Sequence, residues 1–554
     1  MGNKFLSKSL DLLTRRQSNI LSAAFVIMGT VILSQVFGLI KKRLLIAYFG
    51  ASGTTGVFEV ASKLPDLIFQ LVIASALSSA FIPVFSDLLS KGKDELAHKM
   101  ASNLLTVGIV LFFIFSMVLS VFAPFFLQIL NLGGGFSSSD MQLMANLMRI
   151  IVFGQLLIVI GTFFAALLQS YNHFFIPGFA LSLYNLGIII GLITLSPIIG
   201  IYSGAVGIVI GAAFFILFQL PMVRKIGFRY TPSFSFQDSG VKKIASLMWP
   251  RTISNAIFQL GTVLVVSLVS FIPQTGRNYI IFDLAQTIAF APVALIGQAI
   301  AQAAFPVLAR ERDNLQNFKL TFINSFNQML YLILPASILI LILRIPIVRL
   351  VFGADKLDWP ATVLSGKILA FFALSIFAYA LIALVYRAFY ALHDTKTPLI
   401  TGAFSTIFML LIGYSLIVVM GRGVSSVAVA YSIAGITQLL ILLFLLHKRT
   451  GGFHLPSLFI SWVKIGASSF FTAFALYIPI KLLDQLVFDT TRTINLFFLT
   501  GISSFAGLLL YLFLTWFFDV KEASIYVLAM RKMRNWREVA SKMDELIGRD
   551  KDGA

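Results

Sequence analysis

No cysteine occurs among the 554 residues, which removes disulfides, thiolate metal sites and cysteine nucleophiles together. Histidine is scarce: there are five, only His447 and His454 share a loop, and no metal centre is expected. Charged residues make up 12% of the chain, against about 25% in ordinary soluble domains. A Walker loop, an HExxH pair and a GxSxG nucleophile elbow are all missing, so neither a nucleotide-driven motor nor a common hydrolase is legible, and no cofactor and no enzymatic activity are expected. Without an ATPase domain, any energy source must be an ion gradient, the membrane potential or a substrate gradient. A soluble basic domain is also missing, so the net charge of +19 does not point to nucleic acid.

What the chain has instead is apolar length. It is 58% hydrophobic with 55 phenylalanines, arranged in fourteen long apolar stretches. A helical span needs about 20 apolar residues, and backbone polar groups in lipid must be paired internally. The expected fold class is therefore an all-α polytopic membrane protein of 14 transmembrane helices. The spans read as 20–48, 57–89, 101–130, 140–170, 174–197, 201–223, 243–272, 278–308, 318–351, 360–391, 398–421, 424–447, 457–482 and 493–518. Several are longer than a single straight crossing needs, so they tilt, kink or extend beyond the bilayer.

The positive charge sits in alternate loops. Lys91, Lys93 and Lys99 follow span 2, Arg224, Lys225, Arg229, Lys242 and Lys243 follow span 6, and Arg310, Arg312 and Lys319 follow span 8. Lys448 and Arg449 follow span 12, and both terminal segments are basic. The intervening loops Ala51–Gly56, Asn131–Asp140 and Ser196–Gly204 have almost none. By the positive-inside rule both termini are expected on the cytoplasmic side. Lys4, Lys8, Arg15 and Arg16 precede a long first span with no small-residue cleavage site, so a cleaved signal is not expected. Segment 520–554 alternates apolar and charged residues and reads as an amphipathic helix at the inner leaflet or as a solvated tail.

The chain also repeats itself. Ser79-Ala80-Phe81-Ile82-Pro83-Val84 near the end of span 2 matches Ala303-Ala304-Phe305-Pro306-Val307 near the end of span 8, which pairs Pro83 with Pro306. The turns that lead to Pro177 and Pro398 are offset by nearly the same distance along the chain. Six spans per unit keep the two units in the same orientation, a parallel repeat of the kind used by two-lobed transporters. The expected lobes are 1–232 and 233–450. Spans 13 and 14 (451–519) lie outside the repeat.

Ionisable groups at membrane depth cost at least about 2.5–3.5 kcal/mol each and usually face a cavity. Span 1 carries Lys41, Lys42 and Arg43 after Gln35. Span 2 carries Glu59, Lys63 and Asp66 on one helix face, with Pro65 expected to bend it. Span 7 opens with Trp249-Pro250-Arg251, and span 8 carries Asp283. A cationic cavity between lobes suits a phosphate or pyrophosphate held by Lys and Arg. Other readings stand beside this one: snorkelling for Lys41–Arg43, an anchor at the cytoplasmic end for Arg251, and an intrahelical pair for Glu59 and Lys63.

With these residues in view, the chain resembles the MurJ/MviN family, the lipid II flippases of the multidrug/oligosaccharidyl-lipid/polysaccharide exporter superfamily. The matching stretches are Tyr48-Phe49-Gly50-Ala51, Lys63-Leu64-Pro65-Asp66-Leu67, Ser79 to Val84, Asn172-His173-Phe174-Phe175-Ile176-Pro177, Pro292 to Pro306, and Phe389 to Pro398. They run in family order and, with fourteen spans, cover nearly the whole chain. The resemblance implies two six-helix lobes around a cationic cavity, alternating access, and a groove on spans 13 and 14 for a polyprenyl tail. It implies transport of an undecaprenyl-pyrophosphate-linked peptidoglycan precursor across the bacterial cytoplasmic membrane. Membrane lipids and cell-wall synthesis proteins are the further partners it suggests.

The departures are specific. Gln35 stands where the family has an arginine, Lys41 at its next arginine, Lys42 at an acidic residue and Gly56 at another. Phe69 or Gln70 stands at an arginine of span 2, and Thr287 is near one of span 8. Between Asp394 and Asp484 there is no carboxylate, so the sodium site of some members is not expected. On this reading Lys41, Arg43, Lys63 and Arg251, with Gln35, hold the pyrophosphate, and Glu59, Asp66 and Asp283 are cavity carboxylates. Span 2, bent at Pro65, gates. The alternatives are a flippase for another polyprenyl-linked glycan, a cation-coupled drug antiporter, which would favour an acidic cavity, and a non-transporting scaffold.

Overall fold

The structure is a computed structural model that describes residues 20–71, 81–235, 256, 259–354, 356–453, 455–486 and 493–523. Among the described residues there are helices and turns and no strand, as the bilayer requires of a chain this apolar. The first half forms α1 (Ile20–Phe49), α2 (Gly53–Phe69), α3 (Ile82–Ser90), α4 (Asp94–Val121), α5 (Ala123–Leu130), α6 (Ser138–Ser170), α7 (Phe175–Ile199) and α8 (Tyr202–Lys225). The second half forms α9 (Gln259–Val269) and α10 (Thr275–Arg310). It continues with α11 (Leu315–Ile342), α12 (Arg344–Phe352), α13 (Trp359–Ala373) and α14 (Ile376–Ala391). Next come α15 (Lys396–Val419) and α16 (Ser425–Arg449). Last are α17 (Leu455–Leu486) and α18 (Thr493–Phe517).

Helices occupy the described part of every predicted span interval; span 2 is described except for 72–80, and span 7 at 256 and from Gln259 onward. Among the described residues nine helices are long and apolar enough to cross a bilayer, and the pair α13–α14, bent by 43°, makes a tenth. The basic site residue Arg251, its neighbours Trp249 and Pro250, and residues 524–554 of the expected tail helix lie outside the described residues.

Local chemistry sets the helix ends. Ser52 caps α2 by accepting the Thr55 backbone N–H at 3.3 Å. Ser137 and Asp140 form a reciprocal capping box at the start of α6, each side chain accepting the other's backbone N–H at 3.1 Å. The internal repeat reappears as backbone geometry. Asn172 and His393, equivalent by the repeat, both adopt the left-handed conformation, with φ of 62° and 59°. In each turn the next residue's N–H closes on a carbonyl five residues back, His173 on Leu168 and Asp394 on Phe389, both at 2.9 Å. A π-turn at 70–71 in span 2 recurs in α10 at Val293–Gly297, at the offset that relates Pro83 to Pro306.

The chain forms two compact units. Unit 1 comprises residues 1–286, 348–368 and 399–434, and unit 2 comprises 287–347, 369–398 and 435–554. In unit 1, α7 packs between α1 and α8, and α6 lies against α2 and α8. Gly178 brings α7 against Thr30 of α1, and Gly187 brings it against Gly211 of α8. Asn185 donates to the Ser34 carbonyl and hydroxyl at 3.3 and 3.2 Å, tying α7 to α1. An aromatic core of Phe81, Phe85, Phe163 and Phe228 packs against α6 together with residues of α2 and α8.

Unit 2 has its own buried aromatic centre. The Tyr511 hydroxyl donates to the Tyr331 carbonyl at 2.8 Å, and Tyr331 contacts the Thr515 hydroxyl at 3.1 Å. Trp462 stacks on Phe326 with centroids 5.2 Å apart. α17 and α18, which lie outside the repeat, are thus held on α11. Their other faces expose Phe470, Phe474, Phe497, Phe505 and Trp516, as expected of surfaces that meet lipid.

Candidate functional site

One end of unit 1 is a tight crossing. A Cβ built on Gly276, at the start of α10, would sit 2.5 Å from the carbonyl oxygen of Gly53, at the start of α2. One on Gly56 would overlap the Gly276 backbone. Gly53 and Gly276 are related by the same offset as Pro83 and Pro306, so repeat-equivalent positions meet each other. Flanking ties close the same end. The backbone N–H groups of Gly133 and Gly135 donate to the Ser270 hydroxyl and carbonyl at 2.8 and 2.9 Å, and Lys356 Nζ donates to the Tyr48 carbonyl at 2.5 Å. Arg277 and Asp358 add an ion pair at 2.5 Å.

Below the crossing lies a layer of charge. The Lys42 ammonium is bonded to Asp283 Oδ2, and Lys63 approaches Oδ1 of the same carboxylate at 3.6 Å. With side chains 14% and 8% exposed, Lys42 and Asp283 are a largely buried pair, for which geometry and partnership decide the energy. Lys63 also sits 5.7 Å over the Tyr279 ring. Lys41 interacts electrostatically with Glu59, Asp66 and Asp283. Counting Lys41, Lys42 and Lys63 against Glu59, Asp66 and Asp283, the layer is formally balanced.

Beyond the charge layer a cavity of about 830 Å³ opens between α1, α2, α6, α7 and α10, reaching as far as Gln169 and Phe174. Lys63 is the only cation and Asp66 the only carboxylate among its described lining residues. Asp66 accepts a hydrogen bond from Gln155 Nε2 at 2.5 Å. Much of the remaining wall is uncharged: Gln70, Gln169, Gln259 and Gln286 with Tyr184, Tyr279 and Tyr431.

The structure thus places the sequence-predicted residues in three groups. Lys63 and Asp66 face the cavity, and Pro65 is buried between them in α2. Asp283, Lys41 and Glu59 belong to the charge layer behind it. Gln35 and Arg43 lie on exposed positions of α1 that do not line the cavity, and Arg43 donates to the Leu350 carbonyl at 3.1 Å. Lys42, read only as one of three cations in a row, is the one bonded to Asp283. Of the cavity glutamines, only Gln70 stands out in the sequence, near a family arginine position. Their signal was available: an amide inside an apolar span is costly to bury unless something pairs with it.

The family described as lipid II flippase MurJ matches residues 45–529. A probable lipid II flippase MurJ of Borreliella burgdorferi is 24% identical over 486 residues, covering 86% of this chain and 92% of that protein. The lipid II flippase MurJ of Burkholderia cenocepacia is 23% identical over 413 residues, covering 72% and 80%. Among solved structures, a lipid II flippase MurJ in an inward closed conformation aligns with a TM-score of 0.73 at 23% identity, over 89% of this chain and 99% of that one. An inward-facing multidrug resistance transporter of the MATE family aligns at 0.63 and 15% identity, over 77% and 98%.

Proposed function

We infer, from the premise that this chain belongs to the MurJ family of lipid II flippases, that it carries an undecaprenyl-pyrophosphate-linked peptidoglycan precursor across the cytoplasmic membrane by alternating access. The observation that carries the reading beyond family membership is a cavity closed at one end by backbone contact, with Lys63 facing into it. Lys63 is available to a phosphate. Asp283 keeps Lys42 on its other oxygen, so withdrawing Lys63 from a 3.6 Å contact leaves no buried carboxylate alone. A pyrophosphate that reaches Lys63 gains a charge-assisted bond in a low-dielectric site.

The basic-poor loops Ala51–Gly56 and Asn131–Asp140 belong to the closed end, and the positive-inside rule assigns that end to the outer face and both termini to the cytoplasm. In this orientation the cavity receives substrate from the inner side. On this reading the repeat-defined lobes 1–232 and 233–450, rather than the two compact units, are the bodies that rock, and the crossing of Gly53, Gly56 and Gly276 within unit 1 is the contact that must part for release. Gating involves α2, which carries both the glycine contact and Lys63 with Pro65 between the cavity residues. Arg251, in a second-lobe position related by the repeat to the start of the first, is the further pyrophosphate ligand of this reading. The aromatic outer faces of α17 and α18 take the polyprenyl tail. Nothing in the reading requires a covalent step, so the chain moves its lipid without transforming it.

The balanced charge layer weakens the expectation of a strongly cationic cavity. It also argues against a cation-coupled drug antiporter, which needs excess carboxylate. The test is complementation in bacteria depleted of their lipid II flippase, with wild type beside Lys63→Ala, Lys41→Ala and Arg251→Ala at matched membrane expression. Growth with wild type and loss with Lys63→Ala is the expected result. Failure of well-expressed wild type, with transport of an O-antigen-type lipid in a reconstituted assay, would move the chain to another polyprenyl-linked glycan.

A further inference from the structure

Five of the chain's eighteen glutamines line this one cavity: Gln70, Gln155, Gln169, Gln259 and Gln286. They come from the α2 span, α6, α9 and α10, so no single amphipathic helix accounts for the clustering. Their pairing is incomplete. Gln155 is 5% exposed, and its amide nitrogen is engaged by Asp66, but its Oε1 is buried without any partner among the described residues. A buried amide oxygen left unpaired costs about 1–3 kcal/mol, so the Gln155 side chain is under-satisfied where it backs the cavity wall. The side chains of Gln70, Gln169 and Gln259 bond to no other described protein group, while Gln286 bonds to the Tyr431 hydroxyl. Three tyrosines, Tyr184, Tyr279 and Tyr431, stand among them.

Each glutamine offers two donors and an acceptor of two lone pairs, with no charge. Such groups match hydroxyls and secondary amides, which also donate and accept at neighbouring atoms. They are poorly suited to a phosphate, which accepts only and is better held by a cation. Aromatic faces between amides offer apolar contact to the C–H face of a pyranose ring. This is the usual composition of a site that orients a polar ligand: an apolar wall with a few placed polar groups.

We propose that this amide belt is a recognition site for the neutral part of the carried headgroup, its hydroxyl- and secondary-amide-rich glycan or peptide, separate from the phosphate contact at Lys63. The inference rests on the lipid-flipping reading and adds to it a division of labour. Lys63 senses that a lipid phosphate is present, and the glutamines sense what is attached to it. Transport is thereby biased toward loaded lipid over the bare carrier, which has the same phosphate and tail.

The experiment uses the full chain in lipid nanodiscs and three probes: undecaprenyl pyrophosphate, the same lipid bearing the disaccharide without peptide, and lipid II. Equilibrium binding is measured for wild type, Gln70→Leu/Gln259→Leu and Lys63→Gln. The two glutamines have no described protein partner, so their replacement leaves the fold intact, and a thermal melt verifies this. Wild type is expected to favour lipid II over undecaprenyl pyrophosphate, and the double variant to lose about tenfold or more of that preference while binding undecaprenyl pyrophosphate as before. Lys63→Gln is expected to weaken all three probes by a similar factor. Loss of preference already with the peptide-free lipid assigns the belt to the glycan, and loss only with lipid II assigns it to the peptide. An unchanged preference in a well-folded double variant overturns the proposal and leaves the flippase reading standing. If wild type binds none of the three lipids, the flippase reading fails and the proposal falls with it.

Discussion

The crossing and the cavity are built along the same two helices from opposite materials. On α2 the order is Gly53, Gly56, then Lys63 and Asp66, then Gln70 just past its end; on α10 it is Gly276, then Tyr279 and Asp283, then Gln286. At 1.5 Å rise per residue, Lys63 lies about 10 Å along α2 from Gly56. Where the backbones touch there is no side chain to adjust, so the contact is either made or broken. Where the cavity opens, long polar side chains stand off the backbone and can rearrange around a ligand. The ion layer lies between, and the same few turns of α2 join the three. A ligand that draws on Lys63 therefore acts on the helix whose other end forms the seal.

Breaking the crossing gives the largest effect. Gly56→Leu places a side chain into the Gly276 backbone, and no rotamer removes its Cβ. Complementation should be abolished at normal membrane expression, and a cysteine introduced near Gly53 should become reactive to a membrane-impermeant thiol reagent. The chain has no cysteine of its own, so that signal is unambiguous. Retained growth with Gly56→Leu would mean that the seal is not part of the cycle.

Breaking the ion layer comes next. Asp283→Ala leaves Lys42 without its carboxylate and Lys63 without its nearer anion, and removal of one partner from a buried pair typically costs about 3–5 kcal/mol. A lower melting temperature and a loss of transport are expected together. The exchange Lys42→Asp with Asp283→Lys should recover part of both. A double-mutant cycle without coupling between the two positions would refute the pairing.

How far the sequence reveals this arrangement depends on the kind of feature. Helix intervals and the repeat are legible because hydropathy and proline spacing are properties of one strand of text. Asn172 and His393 follow, since equivalent turns before Pro177 and Pro398 need the same left-handed corner. Which of Lys41, Lys42 and Arg43 bonds to Asp283 is not legible. Successive helical residues point about 100° apart, and the deciding carboxylate, Asp283, lies far along the chain from Lys42. The amide belt is hidden for the same reason. Each of its glutamines is a single polar residue in an apolar span, and only the assembly of four helices makes them neighbours.

A smaller effect is expected at the cavity mouth of the ion layer. Lys63→Gln keeps most of the length of the side chain and removes its charge. Bonds to a charged partner are worth about 1.5–3 kcal/mol, so binding of undecaprenyl pyrophosphate should weaken roughly tenfold or more, with little change in melting temperature because Asp283 keeps Lys42. A large fall in melting temperature would instead place Lys63 with Lys42 as a structural partner.

The repeat-related turns supply the finest comparison. Asn172 and His393 share a backbone, but the residue after each differs: His173 in one and Asp394 in the other. Burial raises the Asp394 carboxyl, yet the Thr397 backbone and hydroxyl, the Arg449 charge and the Lys396 backbone outweigh it and hold it below its usual 3.8. Two of these are backbone donors, at 3.1 and 3.0 Å from Lys396 and Thr397, so the side chain caps α15. A carboxyl depressed in the folded state contributes stability that is complete above its ordinary value and is lost as pH falls through the depressed one. The second-repeat turn should therefore loosen in acid through a group the first lacks. Asp394→Asn should lower the melting temperature at pH 7 by about 1 °C, because the site is partly exposed and screened, and should narrow the gap between pH 7 and pH 3. His173→Asn, at the equivalent position, should leave that gap unchanged. Hydrogen exchange of the Thr397 amide across the same pH range would localise the difference, and equal acid response of both variants would remove the distinction between the turns.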